Sequence, residues 1–205
     1  LGAEPPAPAE PDVHVRHEGP ALHVEVGDRE HDEPDAHAHR PLEGVKVLEL
    51  GQLIAGPFAG KFFAEFGAEV IKIEPPGEGD PLRKWRRLRN GTSLWWQVQS
   101  RNKKSLTCDL RKPEGQEIVR RLARASHIVI ENFRAGALSS RGVHSREWLD
   151  RNPGLIWCTI SGFGPDSDRP GYDFVVQAES GWMSITGEPD GDPMKAGVAL
   201  ADVIA

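Results

Sequence analysis

Residues 45–76, VKVLELGQLIAGPFAGKFFAEFGAEVIKIEPP, constrain the fold more than any other stretch. Val45 to Leu50 form a short run of β-branched and aliphatic residues, the pattern of a buried strand. Gly51 to Gly56 break the run, and Pro57 fits the first turn of a helix, where its missing N–H is not needed. Phe58, Phe62, Phe63 and Phe66 follow at helical spacing and share one face. Gly67 supplies a C-terminal stop, Glu69 to Glu74 make a second strand, and Pro75-Pro76 end it. Strand, helix and strand in this order form a βαβ unit, so the two strands pair in parallel. Ligands of such sheets bind beyond the carboxyl ends of the strands, where residues 51–57 fall. That loop is not G-x-G-x-x-G. Nor is it a Walker loop, since Pro57-Phe58 stand where Lys-Ser or Lys-Thr would be. Its glycines suit tight helix–sheet packing and equally a close approach by a ligand.

The same architecture continues downstream. The spacing predicts helices over 93–99, 113–125, 145–151, 172–181 and 198–205, and strands over 105–110, 127–131 and 155–160. Residues 102–104 are expected to turn, and 184–197 to form a loop rich in Gly, Pro and Asp. Alternating strands and helices give an α/β class: a Rossmann-like, largely parallel sheet with flanking helices. Between Gly77 and Asn90 the basic residues Arg83, Lys84, Arg86, Arg87 and Arg89 cluster around Trp85. They suit either a solvated surface or a phosphate-attracting patch.

Residues 1–40 differ from the rest. They hold ten of the 31 acidic residues, three of the 25 basic ones, six prolines and six of the eight histidines, with few large apolar side chains. Such a segment buries too little to offset its ordering entropy and is expected to be a disordered or weakly structured arm. Its histidines lack the cysteines or the helical spacing of a metal site, so no metal is expected. Residues 41–205 are consequently within one charge of neutral, which argues against a nucleic-acid surface. No apolar run approaches the length of a membrane span and no secretory signal is visible. Cys108 and Cys158 give no disulfide framework and fit a reducing, cytoplasmic setting. Asn90-Gly91-Thr92 is formally a glycosylation triplet, discounted without a secretory signal. The sequence starts at Leu1 and stops at Ala205 within an apolar run, as expected of a piece of a longer protein.

Six blocks in order, VKVLELGQLIAGPFAG, FGAEVIKIEPPGEGD, SRNKKSLTCDL, IENFRAGAL, ISGFG and RPGYDFVVQAESGWMSITG, carry a resemblance. Residues 41–205 resemble the N-terminal part of the class III CoA-transferases. That group includes the formyl-CoA, carnitine-CoA and bile-acid CoA transferases, with the related α-methylacyl-CoA racemases. The resemblance implies a partial large domain, cut just after its nucleophile and inactive by itself. It implies homodimers interlocked like links when the chain is complete. The substrates would be an acyl-CoA and a free carboxylic acid, coenzyme A entering as a thioester with no prosthetic group.

The family's catalytic Asp corresponds to Asp202 in Leu200-Ala201-Asp202. A carboxylate is ionised at neutral pH and attacks a thioester without a separate base. A helix start would help keep it charged. Racemases carry Gly-His-Asp where this sequence has Gly171-Tyr172-Asp173, and a phenol titrating near pH 10 suits reversible proton abstraction poorly. Transfer is therefore expected over racemisation. Tyr172 and Asp173 match residues lining the acyl pocket, although Asp173 also suits a capping role. Gln52, Leu53, Ile54 and Ala55 match the loop on which pantetheine lies, and Asn132 and Phe133 the element beside the nucleotide. Formyl-CoA enzymes have Gln where Ile54 stands, so a formyl substrate is not expected. The basic residue usual in the family after Gly-Ala-Leu falls at Ser140, with Arg141 one place later. A non-catalytic CoA-binding or dimerising fragment is the alternative from another class.

Overall fold

The computed structural model describes residues 40–205, together with the backbone of two strands ahead of them, β1 (Val13–Glu18) and β2 (Ala21–Val26). β1 and β2 pair antiparallel, from Val13 opposite Val26 to Glu18 opposite Ala21. The side chains of that arm, including the six histidines, lie outside the described residues. Residues 40–205 form a compact unit and are described by themselves.

In chain order that unit contains β3 (Lys46–Glu49), α1 (Ala55–Glu65), β4 (Glu69–Glu74), β5 (Leu88–Arg89), β6 (Thr92–Ser93), α2 (Leu94–Gln99), β7 (Lys103–Thr107), α3 (Pro113–Arg124), β8 (Ile128–Glu131), α4 (Ser145–Arg151), β9 (Ile156–Thr159), α5 (Asp173–Glu179) and α6 (Leu200–Ile204). Five strands make one parallel sheet in the order β7-β4-β3-β8-β9. The chain winds outward from β3 through β4 to β7, then returns to the other side of β3 for β8 and β9. The turning point of this α/β sheet lies between β3 and β8, so their carboxyl ends open a crevice suited to a ligand.

Strand alternation sends successive side chains to opposite faces. Leu48, Ile73 and Val129 pack with Val119 and Ala123 of α3 and Trp148 of α4. Val47, Val70 and Ile130 pack on the other face with Ala64 and Ala68. Each such aliphatic side chain contributes about 1.5–3 kcal/mol on full burial.

Three local differences from the sequence reading have physical causes. Phe58, Phe62 and Phe66 share a face of α1, with Phe58–Phe62 edge to face at 4.9 Å and Phe62–Phe66 stacked at 6.5 Å, but Phe63 leaves that group and packs against the cluster of Val47 and Ala64. That face points outward, leaving Phe62 46 % and Phe66 50 % exposed. The sheet is met by Ala55, Gly56, Pro57, Gly60 and Ala64, whose small size lets the helix approach closely.

The strand expected at 105–110 begins at Lys103, inside the expected turn. Val70 to Glu74 of β4 pair with Lys103 to Thr107, and Lys103 turns inward to a buried partner, Glu49. Finally, Asn90 (φ 50°) and Gly91 (φ 77°) turn the small β5–β6 hairpin. Two consecutive left-handed residues make the tight turn that Asn-Gly favours.

The basic cluster is largely committed to structure at its start. The Arg83 guanidinium donates to both Glu74 oxygens, at 2.6 and 2.7 Å, and lies 3.9 Å from the Trp96 ring centre. Burial alone would raise the Glu74 carboxyl. Its bonds from Arg83 and Ser105 hold it down at about 2.

Candidate active site

The loops after β3 and β8 meet at the turning point of the sheet. Asn132 bridges them with both ends of its amide: Oδ1 accepts from Gln52 N at 2.7 Å and Nδ2 donates to Gln52 O at 2.9 Å. This clamp explains two glycines. A Cβ at Gly51 would lie 2.8 Å from Asn132 Oδ1 and 2.9 Å from Gly56 Cα. Leu53 takes a left-handed backbone, φ 62°, with its N–H bonded to Asp80 Oδ1 at 3.2 Å.

Two cavities flank this junction. One, of about 400 Å³, is walled by Ala55, Asn132, Phe133, Arg134, Arg169 and Asp202 among others. The other, of about 420 Å³, is walled by Gln52, Phe133, Arg111 and Arg141 among others. Phe133 separates them, while the 51–55 loop contributes to both. Arg141, with its guanidinium 5.5 Å from the Phe133 ring centre, borders the second cavity.

Asp202 is the third residue of α6. Asp173 Oδ1 accepts from Ala201 N at 2.8 Å and Asp202 N at 3.4 Å, so Asp173 caps the helix that carries Asp202. Gln177, only 2 % exposed, supports that cap. Its Nε2 donates to Asp173 Oδ2 at 2.7 Å, and its Oε1 accepts from Ala196 N at 2.9 Å. Burial, and secondarily the Asp173 charge, push the Asp202 carboxyl up to about 6. The helix start does not offset those two effects.

Other expected residues fall elsewhere. Ile54 is buried among Leu82 and Trp96, so it can face a ligand through its backbone alone. Tyr172 is 54 % exposed, stacks on Phe174 at 6.3 Å, and is not part of either cavity wall. Sequence reasoning missed Gln177, Arg134 and Arg169. The signal for Gln177 was a lone amide within the apolar run of DFVVQAE. Arg169 pairs with Glu179 and lies 3.9 Å from the Phe163 ring centre.

Among the described residues no group of His, Cys, Asp and Glu forms a metal cage, and no helix is long and apolar enough to cross a membrane. Residues 42–205 match the model of the CoA-transferase family III. The chain belongs to this family. Among its relatives, the succinyl-CoA–D-citramalate CoA-transferase of Chloroflexus aurantiacus is 51 % identical over 170 residues, 81 % of this chain and 42 % of that protein. The human succinyl-CoA:glutarate CoA-transferase is 43 % identical over 80 % of this chain and 38 % of its own. A crystal structure of a CAIB/BAIF family protein from Brucella suis superposes with a TM-score of 0.74 at 44 % identity, covering 80 % of this chain and 45 % of that one. The chain thus spans about two fifths of the length of the curated relatives it matches.

For this family III chain the Asp202 environment gives a pH expectation. A step that needs the Asp202 carboxylate gains rate as pH rises through about 6 and levels off above it. Asp173→Asn removes the neighbouring negative charge and is expected to move that midpoint to lower pH. Rate-against-pH curves of the complete protein and the variant check this; an unmoved midpoint would rule out the Asp173 charge as a cause.

Proposed function

We propose that the complete protein transfers coenzyme A from an acyl-CoA to a free carboxylic acid, with Asp202 as nucleophile. The observation that carries this is the meeting of Asp202 with the Asn132–Phe133 element and the 51–55 loop around one cavity. An Asp202 oxygen attacks the thioester carbonyl, the C–S bond breaks, and the CoA thiolate leaves a mixed anhydride. The thiolate attacks the aspartyl carbon, freeing the donor acid and leaving an aspartyl-CoA thioester. The acceptor carboxylate attacks that carbon and expels thiolate again. The thiolate then takes the acceptor acyl group, and the Asp202 carboxylate is restored. No net proton moves.

The nucleotide end of CoA is assigned to the second cavity, beside Gln52, Phe133 and Arg141, with pantetheine crossing residues 52–55 toward Asp202. Likeness to the succinyl-CoA enzymes supports short dicarboxylic acids as partners. Arg134 on the Asp202 cavity wall supports the same class, because a guanidinium suits a second carboxylate. The outward Tyr172 supports transfer over racemisation. We read the protein as a cytoplasmic homodimer using CoA thioesters without a prosthetic group. The arm before residue 41 is read as lying outside the catalytic domain.

The test is direct. The complete protein is mixed with succinyl-CoA, quenched, digested, and the Asp202 peptide weighed by mass spectrometry. A CoA adduct on Asp202 that disappears when glutarate or citramalate is added is expected. No adduct, with solvent deuterium entering the α-position of a branched acyl-CoA, would replace transfer by racemisation.

A further inference from the structure

Beneath the loop that contributes to both cavities lie four buried charges that no catalytic step uses. Glu49, Lys72 and Asp80 are at most 1 % exposed, and the Lys103 side chain 2 %. Lys72 Nζ meets Glu49 Oε1 at 3.0 Å and Asp80 Oδ2 at 2.8 Å. Lys103 Nζ meets Glu49 Oε2 at 2.6 Å. Two acids and two lysines cancel. Burial alone would lower Lys72, yet its two carboxylates carry it upward; Lys103, with one, is lowered by burial. Taking four ions from water is costly, and apolar side chains of similar volume would stabilise the fold as well or better. The cluster gives something an apolar core would not, which is directional holds.

Three of the four, Lys72, Asp80 and Lys103, bond to one segment, and Glu49 holds both lysines. Lys72 Nζ donates to Gly51 O at 2.8 Å. Asp80 Oδ1 accepts from Leu53 N at 3.2 Å and from Leu82 N at 2.8 Å. Lys103 Nζ donates to Pro57 O at 2.6 Å. With the Asn132 clamp on Gln52, the backbone is pinned at residues 51, 52, 53 and 57. Between these pins Leu53 sits in the left-handed region that a leucine adopts only when its surroundings enforce it. Gln52 on one side of this segment walls the second cavity, and Ala55 on the other walls the cavity of Asp202.

We infer that Lys72, Asp80, Glu49 and Lys103 are positioning residues for the acyl exchange, holding residues 51–57 in the one shape that aligns a CoA thioester with Asp202. This rests on the function proposed above. None of the four reaches a cavity wall, so they act through the loop and not on the substrate. Displacing the reacting carbonyl by about 1 Å costs on the order of 100-fold in rate.

The experiment compares the complete wild-type protein with Asp80→Asn, Leu53→Gly and the control Glu43→Gln, an exposed residue on neither cavity wall. Steady-state kcat and KM with succinyl-CoA are measured well below each melting temperature, with the rate of Asp202 adduct formation per folded chain. Asp80→Asn keeps an oxygen for Leu53 N but loses the charge that fixes Lys72. Leu53→Gly removes the backbone strain without disturbing the ion cluster, so it stays folded should Asp80→Asn fail to. Both are expected to lose about 10- to 100-fold in kcat and adduct rate, with KM changed far less, and Glu43→Gln to match wild type. Folded variants that react at the wild-type rate, having lost only thermal stability, would overturn the inference alone. A wild-type protein that forms no adduct overturns the proposed function and this inference with it.

Discussion

Replacing Asp202 by asparagine in the complete protein is expected to lower CoA transfer by at least about 10³-fold and to eliminate the covalent CoA adduct. The amide keeps the shape and removes the nucleophilic oxygen charge, so binding of the acyl-CoA is expected to persist. Asp202→Glu keeps the charge but displaces it by one methylene, and a partial loss, on the order of 100-fold, follows. The same asparagine variant carries a stability signature of opposite sign. The folded-state carboxyl titrates at about 6, above its ordinary range. The folded protein therefore binds its proton more tightly than the unfolded chain. Stability is lost as pH rises between the unfolded and folded values, and the full cost is present above about pH 7. Asp202→Asn escapes that cost. After solvent screening of this half-buried group, the gain is roughly 1–2 kcal/mol at pH 8 and vanishes near pH 4. Thermal unfolding of both proteins at the two pH values tests this. Substantial transfer by the asparagine variant would remove Asp202 from the mechanism.

The second large effect is expected at Gly60, in the middle of α1. Glycine to alanine inside a helix normally stabilises by about 1 kcal/mol. Here the new Cβ would overlap Glu49 Oε2, with the carboxyl carbon at 2.9 Å and Lys103 Nζ at 3.4 Å. Glu49 is fully buried and cannot swing into solvent. Either the helix lifts from the sheet or the Glu49–Lys103 pair opens, and opening a buried pair costs about 3–5 kcal/mol. The net expectation is a loss of about 2–4 kcal/mol, a fall in melting temperature of roughly 5–15 °C for a unit of this size. Gly154→Ala, whose Cβ would meet only Asn152 Oδ1 at 3.7 Å, should change little. Equal melting temperatures for the Gly60 and Gly154 variants would show that the buried charges tolerate displacement.

These two residues mark the boundary between what periodicity reveals and what it cannot. The strands β3, β4 and β8 were legible because they are short and rich in buried β-branched residues, and a buried parallel strand has few other ways to look, whereas the half-exposed edge strand β9 showed through the apolar run at its start. The helices were legible from Pro57 and Pro113 at their starts and from apolar spacing. The chain's place among the CoA-transferases was legible from six blocks in order, each weak alone. Asn90-Gly91 is a strong turn signal, but the β5–β6 hairpin has strands of only two residues each, too short to show an alternating pattern.

Other features depended on residues distant in sequence. Nothing local in Lys72 or Lys103 says that it points inward, because a lysine on a strand is ordinarily solvated. Burial followed only from Glu49 and Asp80 arriving from other elements to balance the charge. The outward turn of Phe62 and Phe66 was hidden for a related reason. Helical spacing groups side chains on a face without saying which face the sheet will take, and here close approach selected Gly60 and Ala64. Asp173 and Gln177 likewise acquire their roles only when α6 returns to them. By itself the sequence determined the α/β class, the order of elements and the family, since these depend on local pattern and block order. The tertiary structure alone decided the buried charge cluster, the pinning of residues 51–57 and the raised Asp202 carboxyl, because each arises from desolvation and partners that exist only once the chain has folded.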